Sequence, residues 1–189
     1  QRCQACNVRN YLTLNTIMFD QDLEYLRESL STLKQHVDAV ICWDTALLRL
    51  CREYGIPFHV STQASVANSE AASFYRELGA TRIVLARECT LEEIPLIKRN
   101  SGVEIEIFAH GAMCVSVSGR CFLSEHADGR SANRGQCLQH CRREYEIIEK
   151  DTGTAYRAGP DYLLSAKDLC TMPFIDKVLA AGIDALKIE

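Results

Sequence analysis

The stretch AVICWDTALLRLCREYGIPFHVS, residues 39–61, decides the fold class. Residues 38–43 form a short apolar run typical of a buried strand, and residues 58–61 form another. Between them, residues 45–54 carry apolar side chains at helical spacing and stop at a glycine. A strand, a helix and a second strand in close succession indicate a βαβ unit, and therefore a parallel sheet.

The same alternation continues on both sides of this unit. Further strands are predicted at residues 11–16, 82–86, 103–108 and 185–188, and further helices at residues 20–37, 69–78, from 90 onward and 174–181. About six strands at regular intervals leave two α/β candidates, a (β/α)8 barrel and a doubly wound sheet. No strand is followed by GxGxxG or GxxxxGK[ST], so a nucleotide-binding doubly wound fold lacks its usual support.

Polar residues follow the predicted strands at the points where they end. They are Asn15, Asp44, Ser61, Gln63, Arg87, Glu88, His110, Lys187 and Glu189. In a barrel these positions converge on the catalytic face, which favours a TIM-like (β/α) barrel. A complete barrel has eight strands and about 250 residues, whereas this chain has 189. We therefore expect a partial barrel, excised from a longer protein, that either self-associates or is only marginally stable.

The overall composition is that of a globular protein. Apolar residues make up 47% and charged residues 24%, which excludes a disordered chain, collagen and a coiled coil. No apolar run approaches the roughly 20 residues of a membrane span, and residues 1–10 lack the order of a signal peptide. The net charge of -4 argues against a protein coated in nucleic acid, although a local basic patch stays compatible with it.

Cysteine is the abnormal component, with ten in the chain. A disulfide framework belongs to small secreted domains, and this chain is long enough to bury a core without one. Thiol clusters of a reducing, cytoplasmic protein are more often metal ligands or catalytic groups. Five cysteines are set aside as core, turn or tail residues, namely Cys3, Cys6, Cys42, Cys51 and Cys89.

Four cysteines crowd into one stretch that interrupts the βα rhythm. They are Cys114, Cys121, Cys137 and Cys141, with the spacing C-x6-C, fifteen residues, then C-x3-C. We accordingly divide the chain into βα repeats at residues 1–110, a cysteine-rich insertion with a hairpin at 111–170, and a closing βα unit at 171–189. Four thiolates can hold an iron–sulfur cluster or a zinc ion, and the wide first pair suits a cluster better.

The other candidate site residues each allow a functional and a structural interpretation. Glu106 is a catalytic candidate if its strand face points inward, or else an exposed or ion-paired carboxylate. His110 could donate a proton or simply anchor a loop. Gln63 and Arg87 could bind an anionic substrate or tie loops together. Arg134 belongs to a basic run that could contact RNA phosphate or neutralise thiolates.

Several motifs, in this order along the chain, resemble those of peptidase family U32, the collagenase-like proteases. They are STQAS (61–65), EIFAHGAMC (106–114), SGRCFLS (118–124), SANRGQC with CRR (131–143), SAKDL (165–169) and ALKIE (185–189). The resemblance implies a TIM-like barrel whose first two strands are missing here. Better understood members bind a [4Fe–4S] cluster and support hydroxylation of an RNA base or of a quinone ring. By that resemblance Cys114, Cys121, Cys137 and Cys141 are the cluster ligands, with Cys170 as an alternative fourth.

The two main functional classes make different demands on the sequence. A peptidase needs an activated nucleophile or a metal-bound water, and neither GxSxG nor HExxH is present. A redox enzyme needs an electron-transfer centre beside a substrate cavity, which a cysteine loop over a barrel mouth would supply. We therefore expect hydroxylation of tRNA or rRNA first and proteolysis second. A subunit of a quinone hydroxylase, or another homo- or hetero-oligomer, stays open as a third possibility.

Overall fold

The structure is a computed structural model that describes residues 2–117, 120–157, 163–165 and 167–189. The first two residues of the SGRCFLS motif and the second residue of the SAKDL motif therefore lie outside the described residues. All ten cysteines and every candidate site residue lie inside them.

Six parallel strands form a curled sheet, as an open half-barrel. Numbered in chain order, they are β1 (Tyr11–Thr13), β2 (Ala39–Cys42), β3 (Phe58–Val60), β4 (Arg82–Val84), β5 (Glu104–Gly111) and β9 (Ala185–Ile188). Neighbours in this order are paired in parallel, from β1 at one edge to β9 beside β5. The prediction of an α/β fold with about six parallel strands is confirmed.

The α-helices are α1 (Arg2–Ala5), α2 (Asp20–Leu33), α3 (Thr45–Tyr54), α4 (Ser69–Glu77), α5 (Glu93–Ser101), α6 (Leu123–Asp128) and α7 (Ile175–Ala180). Helices α2 to α5 and α7 supply residues to the core that packs on one face of the sheet, whereas α1 precedes the first strand and α6 lies between β5 and the final helix. The Asp44 carboxylate caps α3 by accepting the backbone N–H groups of Ala46 and Leu47. Gly55 ends the same helix in the left-handed conformation, with φ 63°, which favours glycine there.

The hydrophobic core lies between these helices and the sheet. Phe58, Ile83 and Ile105 point from neighbouring strands toward the helices and are at most 1% exposed. Leu47 and Leu50 of α3 meet them from the helical side. Because side chains alternate along a strand, the residues between these positions project from the opposite, concave face of the sheet.

The predicted element boundaries differ from the structure by a few residues. Helix α2 ends at Leu33 instead of residue 37, and α5 begins at Glu93 although Thr90 and Glu93 exchange the capping hydrogen bonds. Strand β5 continues to Gly111, beyond the predicted end at residue 108, because it pairs with strands on both sides.

Between β5 and α7 the chain has few regular elements. The predicted hairpin forms from β6 (Glu146–Ile148) and β7 (Ala155–Arg157), which pair antiparallel. Strand β8 (Leu169–Cys170) pairs antiparallel with β5, and neither it nor α6 is predicted by the sequence. We call residues 112–170 the cysteine segment. In the described part of the chain, no helix is long and apolar enough to cross a bilayer.

Candidate functional site at the carboxyl ends of the strands

A cavity of about 480 Å³ opens where the carboxyl ends of β1, β2 and β3 meet the cysteine segment. Its lining comes from both regions: Asn15, Thr16, Ile17, Trp43, Gln63, Arg120, Phe122, Ala132, Asn133 and Gly135. This volume is within the range of small-molecule sites, and in parallel α/β sheets such sites lie at the carboxyl ends of the strands. The cavity is therefore the candidate functional site.

The sheet side of the cavity is organised by a chain of hydrogen bonds. The indole Nε1 of Trp43 donates to the backbone oxygen of Asn15 at 2.8 Å. The side-chain Nδ2 of Asn15 donates to the Ser61 hydroxyl oxygen at 3.5 Å, and that hydroxyl donates to Oε1 of Gln63. Three strand ends thus hold one another's polar side chains in place around the opening.

The cysteine segment supplies the other side of the cavity. Nη2 of Arg120 donates to the backbone oxygen of Gln63 at 3.0 Å, and its guanidinium lies 5.4 Å from the centre of the Trp43 ring. Oδ1 of Asn133 accepts the backbone N–H of Cys121 at 3.1 Å. The cavity residue Asn133 therefore fixes the backbone of Cys121, which is a predicted cluster ligand.

Arg134 anchors the cysteine segment to the first βα unit. Its guanidinium makes two hydrogen bonds to the Asp22 carboxylate, at 2.5 and 3.1 Å, and one to the backbone oxygen of Ile17 at 2.6 Å. The hydrogen bond from Arg134 lowers the pKa of Asp22 below its usual range, and the Phe19 backbone N–H adds to this. The predicted substrate role of Arg134 stays a prediction, and its guanidinium is engaged by a carboxylate.

The four clustered cysteines lie close together in space. Burial raises the pKa of the Cys141 thiol, and the neighbouring thiols of Cys137, Cys114 and Cys121 raise it further, while Arg142 opposes them. All three thiols are thus near enough to Cys141 to act on it electrostatically. Cys170, by contrast, is exposed on β8, paired through its backbone with His110.

The donor set fits a metal cluster in its chemistry, although not yet in its geometry. No disulfide occupies any of these thiols. The backbone N–H of Leu123 points at the Cys121 sulfur, 3.4 Å from it, as donors around bound thiolates do. Within the described ranges no three His, Cys, Asp or Glu side chains stand in a metal-holding arrangement.

Glu106 lies on the concave face of the sheet and is 6% exposed. Nη1 of Arg82 donates to its Oε2 at 3.2 Å, and Nζ of Lys187 lies 3.7 Å from its Oε1. Two cations therefore compensate this buried carboxylate, which accounts for its burial without a catalytic role. The catalytic role of Glu106 stays a prediction.

The remaining predicted site residues lie at the carboxyl ends of β4 and β5, toward the other edge of the sheet, and are not part of the cavity lining. His110 is exposed at the end of β5. Arg87 pairs with the Glu189 carboxylate and places its guanidinium 3.8 Å from the centre of the Phe108 ring. Of the predicted substrate residues, Gln63 alone lines the cavity of about 480 Å³. The roles assigned to His110 and Arg87 also stay predictions.

Several residues of the cavity were missed by reasoning from the sequence. Trp43 directly follows β2. A search of all residues at strand ends, instead of the polar ones such as Asp44, would have found it. Phe122 and Asn133 belong to irregular chain, where no periodicity indicates which side chains face a cavity. The local sequence also gives no sign of the hydrogen bond between the side chains of His140 and Asp128, which are 12 positions apart.

Comparison with known proteins identifies what the chain is similar to. The profile described as Peptidase family U32 matches residues 1–189. A collagenase of Porphyromonas gingivalis is 39% identical over 99% of the chain and 48% of its own length. A tRNA hydroxylation protein of Bacillus subtilis is 38% identical (95% and 44%), and a 23S rRNA 5-hydroxycytidine synthase of Escherichia coli is 40% identical (95% and 27%).

The fold also has a counterpart among solved structures. A U32 peptidase structure superposes with a TM-score of 0.51 at 21% identity, covering 59% of this chain and 50% of that one. At this identity the likeness concerns the fold alone. The chain spans about half the length, or less, of the curated relatives named above.

Proposed function

The chain belongs to peptidase family U32, and from that membership we propose that it binds a [4Fe–4S] cluster and supports hydroxylation of an RNA base. The cluster ligands would be Cys114, Cys121, Cys137 and Cys141. Both RNA-modifying relatives named above are about as similar to this chain as the collagenase is. We propose the cytoplasm as the location of this activity, because an RNA substrate and a cluster held by thiolates suit a reducing compartment.

One observation carries the proposal: the thiols grouped around Cys141 adjoin the cavity. Cys121 connects the two features, because its thiol acts on Cys141 and its backbone N–H is held by the cavity residue Asn133. A bound iron–sulfur cluster would supply electron transfer at this position. The fourth ligand stays open between Cys141 and Cys170.

The residues of the cavity fit a role in holding an RNA base. Arg120 is exposed at the rim, where its guanidinium could face a phosphate or a base plane. The side chains of Asn15, Gln63 and Asn133 offer amide groups of the kind that read base edges. In the overall reaction an oxygen-atom donor gives one oxygen atom to a C–H bond of the base, which becomes C–OH.

Proteolysis is the second candidate, and one observation favours it besides the names of relatives. His140, which directly precedes Cys141 in the sequence, is buried, and its Nε2 is hydrogen-bonded to the Asp128 carboxylate. A carboxylate that orients an imidazole is one part of a cysteine nucleophile's machinery, and contact of that imidazole with the Cys141 thiol would complete it. This alternative requires that Cys141 act as a nucleophile instead of a ligand.

Nucleoside analysis tests the proposal. The chain is expressed in cells that lack their own RNA hydroxylation, and digested tRNA and rRNA are examined by mass spectrometry for a nucleoside with one added oxygen atom. We expect this nucleoside with the parent chain and with Cys170→Ser, and its loss with Cys121→Ser. Absence of the nucleoside in the parent would contradict the proposal. Peptide cleavage that persists in Cys121→Ser but not in Cys141→Ser would favour the peptidase.

A further inference from the structure

We propose that Trp43 and Phe122 form an aromatic site in which a single unstacked nucleobase lies against their rings, with its edge toward the amide side chains of the cavity. This inference rests on the proposed function, and it concerns residues for which neither the family motifs nor the relatives' names specify a role. Both rings line the same cavity, one from the sheet and one from the cysteine segment.

Trp43 has the properties of a fixed stacking platform. It follows directly after β2, and the hydrogen bond from Nε1 to the backbone oxygen of Asn15 sets the orientation of the ring. The side chain is half-buried and lines the cavity. Because the Arg120 guanidinium lies over the ring at 5.4 Å from its centre, a base would stack on the part of the indole that Arg120 leaves uncovered. A rigid aromatic surface at a cavity wall is how proteins hold a base that has left its stack, because every base has a π-face.

Phe122 is the second ring, and its exposure is informative. It is 71% exposed, although it lines the cavity and directly follows Cys121. A large apolar side chain at the rim of a cavity, with most of its surface in water, is well placed to cover a planar ligand. Any base held there would lie next to a predicted cluster ligand, where the hydroxylation chemistry would be needed.

The amide groups around the rings favour a heterocycle over a purely apolar ligand. Oε1 of Gln63 accepts the Ser61 hydroxyl, and Oδ1 of Asn133 accepts the Cys121 N–H, which leaves the NH₂ group of each side chain as a donor. Nδ2 of Asn15 donates to Ser61, which leaves its Oδ1 as an acceptor. Donors and an acceptor beside two rings match the edge of a base, which presents both kinds of group.

The cavity can be observed directly because Trp43 is the single tryptophan of the chain. A short single-stranded RNA is titrated into the purified chain while the intrinsic tryptophan fluorescence is recorded. A matched RNA with abasic residues serves as the control probe. We expect saturable quenching by the first RNA and none by the second, because stacking of a base on the indole is the cause of quenching.

Substitutions of Phe122 and Trp43 test whether these two rings contact the RNA base. Phe122→Ala should weaken RNA binding by roughly 5- to 150-fold, which is the effect of losing one base–aromatic stack. Phe74→Ala, on α4 and 57% exposed, removes a phenyl ring elsewhere and should leave binding unchanged. Trp43→Ala is followed by anisotropy of a labelled RNA, and Trp43→Phe should restore most of the affinity. Equal quenching by the abasic RNA, or unchanged binding by Phe122→Ala, would overturn the inference.

The failure of this inference is distinguishable from that of the proposed function. If Trp43→Ala hydroxylates RNA as the parent does, the aromatic site is wrong and the function stands. If the parent takes up no iron but its fluorescence is quenched by RNA in a Phe122-dependent way, the proposed function is wrong and the aromatic site stands.

Discussion

The half-barrel and the cysteine segment are stabilised by different forces. In the half-barrel, side chains such as Phe58 and Ile105 are almost completely buried, and burial of apolar area is the main source of stability. In the cysteine segment most of the described residues are exposed or only partly buried, and polar contacts such as that between Arg134 and Asp22 connect it to the half-barrel. The half-barrel thus has an independent source of stability, whereas the segment carries the candidate chemistry with little core of its own.

This difference suggests how the molecule separates folding from function. The half-barrel contains the buried apolar core, whereas the cysteine segment contains the candidate ligands and one side of the cavity.

The largest difference in unfolding free energy is expected between alanine variants of two phenylalanines, Phe58 and Phe122. Phe58→Ala removes a side chain that is 1% exposed in the core, and should lower the free energy of unfolding by about 3–5 kcal/mol. Phe122→Ala removes one that is 71% exposed, and should change it by no more than about 0.5 kcal/mol. Urea denaturation followed by far-UV circular dichroism measures both. Similar losses for the two variants would contradict the division into two regions.

The half-barrel should also be the region whose stability falls at acid pH. His59 is 4% exposed and its Nδ1 has no hydrogen-bond partner among the described residues. Burial lowers the pKa of His59 to about 4, and the nearby Arg82 contributes. Because the unfolded chain binds this proton more readily, stability should fall as the pH drops from about 6.5 to 4, by up to roughly 3 kcal/mol.

Histidine variants test this pH dependence. His59→Gln should flatten the loss of unfolding free energy between pH 7 and pH 4, whereas substitution of the exposed His36 by Gln should leave it as in the parent. The measurement is urea denaturation at several pH values. A pH dependence unchanged by His59→Gln would assign the acid sensitivity to other groups.

The cap of α3 should have a smaller effect, again on the half-barrel. Asp44→Ala removes the acceptor of the Ala46 and Leu47 N–H groups and should lower the unfolding free energy by about 1 kcal/mol. Glu53→Ala, on the same helix in an exposed ion pair with Arg27, should have little effect. Thermal or urea denaturation of the two variants measures this difference. Equal losses of unfolding free energy would show that the Asp44 cap has no specific role.

The smallest effect is expected from the contact between the two regions. Asp22→Asn weakens the bond to Arg134 and should speed hydrogen exchange at the Ile17 amide, which donates to the backbone oxygen of Asn133. The overall unfolding free energy should hardly change, because the core is untouched and the asparagine oxygen can still accept the Phe19 backbone N–H that Asp22 accepts at 2.8 Å. Asp20→Asn, in the same helical turn, is the control. Unchanged exchange at Ile17 would mean that this ion pair does not hold the segment in place.

The two regions also differ in how far they could be predicted from the sequence. The strands and helices of the half-barrel follow local patterns: alternating burial, helical spacing and stop signals such as Gly55. The predicted element types are correct, and boundary errors arise where pairing extends a strand, as at Gly111. Local sequence carried this information because each element buries one side in the same core.

The candidate site could be predicted only in part. The ligand roles of the four clustered cysteines stay predictions, and the strand-end rule indicated Gln63, which lines the cavity. The cavity itself arises from contacts between distant residues, such as Arg120 with Gln63, which are 57 positions apart. No local pattern encodes which side chains of an irregular segment return to a strand end, so Phe122 and Asn133 were not identified.

The most direct test of the account is the iron, acid-labile sulfide and zinc content of the chain purified without oxygen. We predict about four irons and about four sulfides per chain with a brown colour, as a [4Fe–4S] centre requires. Cys121→Ser should lose the iron while keeping the parent's circular dichroism, and Cys170→Ser should retain it. One zinc per chain without colour would contradict the account and make the four thiols a structural metal site.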